Sequence, residues 1–88
     1  MEAKKHILFV DDNENVISGI QRQLRPYREQ WSVYFATCGK QALEIMQHQP
    51  IDLIVSDMMM PEMRGDVLLK RVADIYPATV RMILELLS

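Results

Sequence analysis

The chain has 88 residues, 49% of them apolar, and a formal net charge of −2. That length supports one small domain, residues 1–88, with a packed core and marginal stability. Slight acidity with Lys and Arg scattered along the sequence argues against direct nucleic-acid binding, and a single cysteine, Cys38, excludes an internal disulfide and suits a reducing compartment.

At the amino end, MEAKKHILFVDD places four apolar residues before two acids. That is too short for a signal-peptide core or a bilayer span, so the expectation is a cytoplasmic protein with no membrane association. HILFV, cut off by Asp11 and Asp12, reads as a strand buried on both faces. Val16, Ile17, Ile20 and Leu24 then mark one helical face, capped by Asp12 or Asn13 and ended by Pro26. WSVYFAT is a second strand. After Gly39, KQALEIMQHQ is a helix with Ala42, Leu43 and Met46 inward, stopped by Pro50. IDLIVSD, Ile51 to Asp57, is the third strand. Pro61 and Gly65 punctuate the next loop, and Asp66 is expected to cap a helix with Leu68, Leu69, Val72 and Ile75 or Tyr76 inward. TVRMIL is expected as a fourth strand, although Met82, Ile83, Leu86 and Leu87 also carry a helical spacing.

Apolar strands alternating with amphipathic helices imply an α/β fold of parallel βαβ units with right-handed crossovers. Ligands of such sheets sit beyond the carboxyl ends of the strands. Asp11 and Asp12 end the first strand and Asp57 the third. If those strands are neighbours, three carboxylates converge at one edge. Clustered carboxylates raise one another's pKa unless a charge offsets them, and a hard divalent cation such as Mg²⁺ does so through oxygen ligands. The plainer reading, that Asp11 and Asp12 cap a helix and Asp57 simply ends a strand, stays open on spacing alone.

ILFVDD at the first strand, DLIVSDMMMPEMRG at the third and VRMIL at the fourth resemble the receiver domain of bacterial two-component response regulators. The resemblance implies a flavodoxin-like parallel sheet with flanking helices, strand order 2-1-3-4-5, truncated here to about four strands and three helices. It implies a signalling module, not an enzyme, in which Asp57 accepts a phosphoryl group from a sensor histidine kinase. Asp12 would ligate Mg²⁺ directly, Asp11 would act through water, and the Met59 backbone carbonyl would complete the protein ligands. Pro61 would stiffen the loop presenting that carbonyl, Gly65 would supply backbone freedom, and Met58, Met59 and Met60 would be flexible packing around the site. His6 lies at the wrong end of its strand to donate a phosphoryl group, and His48 is expected to be solvated. A haloacid-dehalogenase-type hydrolase also uses a strand-end aspartate but needs a second two residues later, where this chain has Met59.

Family members run to about 120 residues, a typical small domain. The fourth helix, fifth strand, fifth helix and the lysine that pairs with the phosphoryl group are therefore expected to be missing. Where the family has Ser or Thr after the fourth strand, this chain has Glu85, with Ser88 a poor substitute. Like charges about 4 Å apart at an effective dielectric near 20 cost about 4 kcal/mol, so Glu85 implies impaired switching. An uncovered sheet face and a free fourth-strand edge imply homodimers, formed edge to edge or by exchange of TVRMILELLS. The alternative function is a non-phosphorylated module that dimerises or competes for a kinase.

Overall fold

The computed structural model describes residues 3–84. β1 (Lys5–Val10) leads through α1 (Glu14–Leu24) and a 3₁₀ turn (Arg25–Tyr27) to β2 (Trp31–Ala36). α2 (Gly39–His48), β3 (Leu53–Asp57), α3 (Gly65–Ile75) and β4 (Val80–Leu84) follow. The strands form one parallel sheet in the order β2-β1-β3-β4. This is the flavodoxin-like arrangement, with β1 and β3 adjacent at the centre. TVRMIL is a strand as far as Leu84, and the expectations placed on Glu85, Leu86, Leu87 and Ser88 lie outside the described residues.

Side chains alternate between the faces of a strand, so the sheet builds two separate layers. On one face Leu8, Val10, Ala36 and Ile54 meet Ala42 and Met46 of α2 and Leu68 and Val72 of α3. Leu8, Ile54, Leu68 and Val72 are wholly buried, which makes this layer the main core. Ile7 and Phe9 point the other way, level with Val33 and Phe35 on β2 and with Leu53 and Val55 on β3. The rings of Phe9 and Phe35 stack at 5.8 Å. This second face is met by α1, whose Ile17 is buried and whose Leu24 shares a groove with Val33 and Phe35. The register carries it on to Val80 and Met82 of β4, which are 60% and 52% exposed. Among the described residues, one helix therefore serves this face where two serve the other.

The helix starts follow local chemistry, with one correction. Asn13 caps α1 by accepting from the Asn15 and Val16 N–H groups, at 2.9 and 3.4 Å. The Cys38 sulfur accepts from Gln41 N–H at 3.5 Å and caps α2, a role its sequence context did not suggest. Asp66 is not the cap of α3. The Gly65 N–H donates to the Met58 carbonyl at 2.8 Å, pinning the chain to the end of β3, and the helix begins at Gly65 with Arg64 in the cap position. Asp66 instead sits in the first turn, accepting from Val67 N–H and pairing with Arg64 at 3.2 Å. Of the two candidates for the last inward position of α3, Tyr76 packs against the core and Ile75 is 60% exposed.

The core layer makes a direct prediction. Ile54→Ala opens a cavity in the central strand and should cost about 2–5 kcal/mol in urea unfolding. Ile75→Ala, on the exposed side of α3, should stay within about 0.5 kcal/mol of the parent. Comparable losses at both sites would contradict this division of α3.

Candidate functional site

The β1–β3 register pairs Val10 with Ser56, so the next residues, Asp11 just past β1 and Asp57 at the end of β3, come side by side. Asp12 follows on the same loop. One carboxylate oxygen from each of Asp11, Asp12 and Asp57 can be chosen so that all lie within 4.8 Å of one another. Asp11 is 4% exposed, Asp57 is half-buried and Asp12 faces solvent. The three acids singled out in the sequence are thus brought together at the carboxyl edge.

Backbone contacts fix this geometry. Asp11 N–H donates to the Ala36 carbonyl at 3.1 Å, and the Asp11 Oδ1 accepts from Asn13 N–H at 2.8 Å. The Ser56 hydroxyl, fully buried, donates to the Asp57 carbonyl at 2.9 Å. Gly65 matters through size. Its φ is not positive, which corrects the expectation of special backbone freedom. A Cβ there would collide with the Asp57 carbonyl oxygen and stand 2.9 Å from the Asp57 carbonyl carbon. Any side chain at this position would displace the backbone of the central acid. The left-handed conformation in this loop belongs instead to Glu62, with φ 70°.

The three methionines are not equivalent. Met60 is 7% exposed and belongs to the core. The Met58 sulfur lies 3.8 Å from an Arg64 nitrogen. Met59 is 67% exposed. His6, the second residue of β1, lies toward the opposite edge, where its Nδ1 is 2.9 Å from the Tyr34 hydroxyl. His48 is exposed.

Among the described residues, no basic side chain offsets the charge at the edge, since the ion pair within 4.0 Å is Arg64–Asp66. Burial pushes the Asp11 carboxyl above the ordinary value of 3.8. The charges of Asp57 and Asp12 push it the same way, against the Asn13 N–H. Three close oxygen donors with unbalanced negative charge fit a hard divalent cation.

The family model described as the response regulator receiver domain matches residues 7–85. The chain belongs to this family. The receiver is 41% identical over 73 residues to the two-component response regulator ORR5 of Oryza sativa, covering 78% of this chain and 51% of that protein. It is 35% identical over 69 residues to the response regulator SaeR of Staphylococcus epidermidis, covering 78% of this chain and 29% of SaeR. Among solved structures, the signal receiver domain of an HD domain-containing protein from Pseudomonas fluorescens superposes with a TM-score of 0.88 at 31% identity. That match covers 94% of this receiver and 60% of the other chain. The receiver therefore spans about half or less of these curated relatives. Among the described residues, no helix is long and apolar enough to cross a membrane.

The raised Asp11 carboxyl fixes the sign of a pH effect. A carboxyl that holds its proton more tightly when folded favours the folded state at low pH. That contribution is lost as pH rises above 3.8 through the raised value. In metal-free protein, Asp11→Asn should therefore raise the melting temperature at pH 7, and the gain should vanish toward pH 3. A constant difference across that range would contradict electrostatic strain at Asp11.

Proposed function

We propose that this receiver takes a phosphoryl group from a sensor histidine kinase onto Asp57, within cytoplasmic two-component signalling, and is not itself an enzyme. The observation that carries the reading is the meeting of Asp11, Asp12 and Asp57 from two adjacent parallel strands. A carboxylate oxygen of Asp57 attacks the phosphorus of a phosphohistidine, the P–N bond breaks, and the imidazole leaves as an acyl phosphate forms. Asp57 is suited to this by partial exposure and by a backbone held through Ser56 and Gly65. Left alone, the three acids would repel the incoming phosphoryl group. Asp12, Asp57 and the Met59 carbonyl, with Asp11 acting through water, would hold a Mg²⁺ ion, which would supply the positive charge that offsets this repulsion. Asp11 is buried and held by the Asn13 N–H, while Asp12 is open to solvent.

The test is intact mass after incubation with acetyl phosphate and Mg²⁺. The expected result is an adduct on the parent, lost in Asp57→Ala and on chelation. A folded parent that gains no adduct would favour the second reading, a non-phosphorylated module that dimerises or competes for a kinase. An adduct without downstream change would match the impaired switching expected from Glu85.

The exposed Val80 and Met82 favour self-association through the less covered face or the β4 edge. Sedimentation at micromolar concentration should show a dimer that dissociates in Met82→Glu. A monomer at all concentrations would exclude this mode.

A further inference from the structure

Lys and Arg look scattered in the sequence, but the fold gathers three of them. Arg22 lies in the last turn of α1, Arg25 opens the 3₁₀ turn, and Arg28 closes it with its N–H on the Arg25 carbonyl at 3.3 Å. A 3₁₀ helix has three residues per turn, so residues three apart eclipse and Arg25 and Arg28 emerge on the same side. With Arg22, Pro26 and Glu29 they line an open cleft of about 510 Å³. Among the described residues, none of the three arginines lies within 4.0 Å of a carboxylate.

A second groove, of about 180 Å³, adjoins this cleft. Arg25 and Arg28 line both, and the smaller groove is otherwise mainly apolar, with Leu24, Trp31, Val33 and Phe35. Trp31 is held in place by stacking on Tyr27 at 4.9 Å. The surface therefore offers guanidinium forks beside an apolar slot. One cation at the end of α1 would complement the helix dipole. Three converging on one cleft that opens into an apolar groove go beyond that need.

We propose that this surface docks an acidic peptide segment of a partner protein, with carboxylates on the arginines and one apolar side chain in the slot under Trp31. Arginine clusters recognise acidic motifs through bidentate hydrogen bonds. Glu29 also lines the cleft and would repel any anion, but three arginines outweigh it; the adjoining groove, with aliphatic Leu24 and Val33, favours a peptide that carries an apolar side chain over a nucleic-acid backbone. The arginine cleft lies at the amino edge of the sheet, and the apolar groove runs from there along β2 toward Phe35. A six-residue strand at roughly 3.3 Å per residue separates the arginines from the acidic edge by about 20 Å. Docking there leaves Asp57 free, so the proposal does not depend on phosphorylation.

The experiment uses fluorescence anisotropy with a labelled pool of ten-residue peptides carrying four carboxylates and one apolar residue at varied positions. The parent should bind the pool, more tightly at low salt, and should not bind the Gln/Asn counterpart pool. The triple variant Arg22→Gln, Arg25→Gln, Arg28→Gln should lose at least about tenfold in affinity, with unchanged circular dichroism and unchanged Asp57 labelling. Single Arg→Lys variants should lose less, since charge remains and the fork is gone. Replacing the apolar residue of the peptides by serine should also weaken binding. No binding at millimolar peptide, or equal binding by parent and triple variant, overturns the proposal. So does arginine-dependent binding of single-stranded RNA or pyrophosphate in preference to the peptides.

Discussion

The parallel pairing of β1 with β3 is the constraint on which the rest of this molecule depends. Ile7 to Val10 on β1 and Leu53 to Val55 on β3 are apolar, and carboxylates follow at Asp11 and Asp57. A parallel register that aligns Val10 with Ser56 must deliver Asp11 next to Asp57. An antiparallel pairing would have sent these acids to opposite ends of the sheet. The cost is electrostatic: three carboxylates close together, one of them buried, with no basic partner among the described residues. A fold keeps such an arrangement only if packing elsewhere holds it. The wholly buried Leu8 and Ile54, on these same two strands, provide that packing.

The loop after β3 shows how narrowly the acid edge is specified. Met60 anchors the loop in the core, and Gly65 N–H ties its far end to Met58. Between them Glu62 adopts a left-handed backbone that non-glycine residues rarely take, which costs of order 1 kcal/mol or more. The collision that any Cβ at Gly65 would make with Asp57 links the start of α3 directly to the central acid. A shift in α3 would therefore be felt at Asp57 through backbone contact, with no intervening side chain.

Much of this was legible in the sequence because it rests on strong, local signals. Strand runs ended by acids, helices ended by proline, and strict βα alternation give the sheet and its carboxyl edge. What was not legible depends on contacts between distant residues. Asp66 has the side chain of a helix cap, yet the Gly65–Met58 hydrogen bond decides where α3 begins. Gly65 invites an argument from φ, but the reason for its size lies in a neighbour eight residues back. Three consecutive methionines carry no pattern that separates the core Met60 from the exposed Met59. Cys38 caps a helix through sulfur, a weak acceptor that no spacing rule anticipates. The arginines looked scattered because their grouping arises at a 3₁₀ turn outside any helical or strand period.

The near-neutral net charge conceals a separation that follows from the topology. In a parallel sheet all strands point the same way, and the helices that return the chain run against them. Helix amino ends therefore share the edge with strand carboxyl ends. Asp11, Asp12 and Glu14 stand at the start of α1 and Asp66 in the first turn of α3, where helix dipoles favour negative charge. Arg22, Arg25 and Arg28 gather where α1 ends, at the edge its dipole makes favourable for cations. The division is not complete, since Asp52 at the amino edge accepts from the His6 N–H. It is enough to give the domain two chemically opposite ends. The ion and phosphoryl group proposed above belong to one end, and the proposed carboxylate-bearing partner to the arginines at the other.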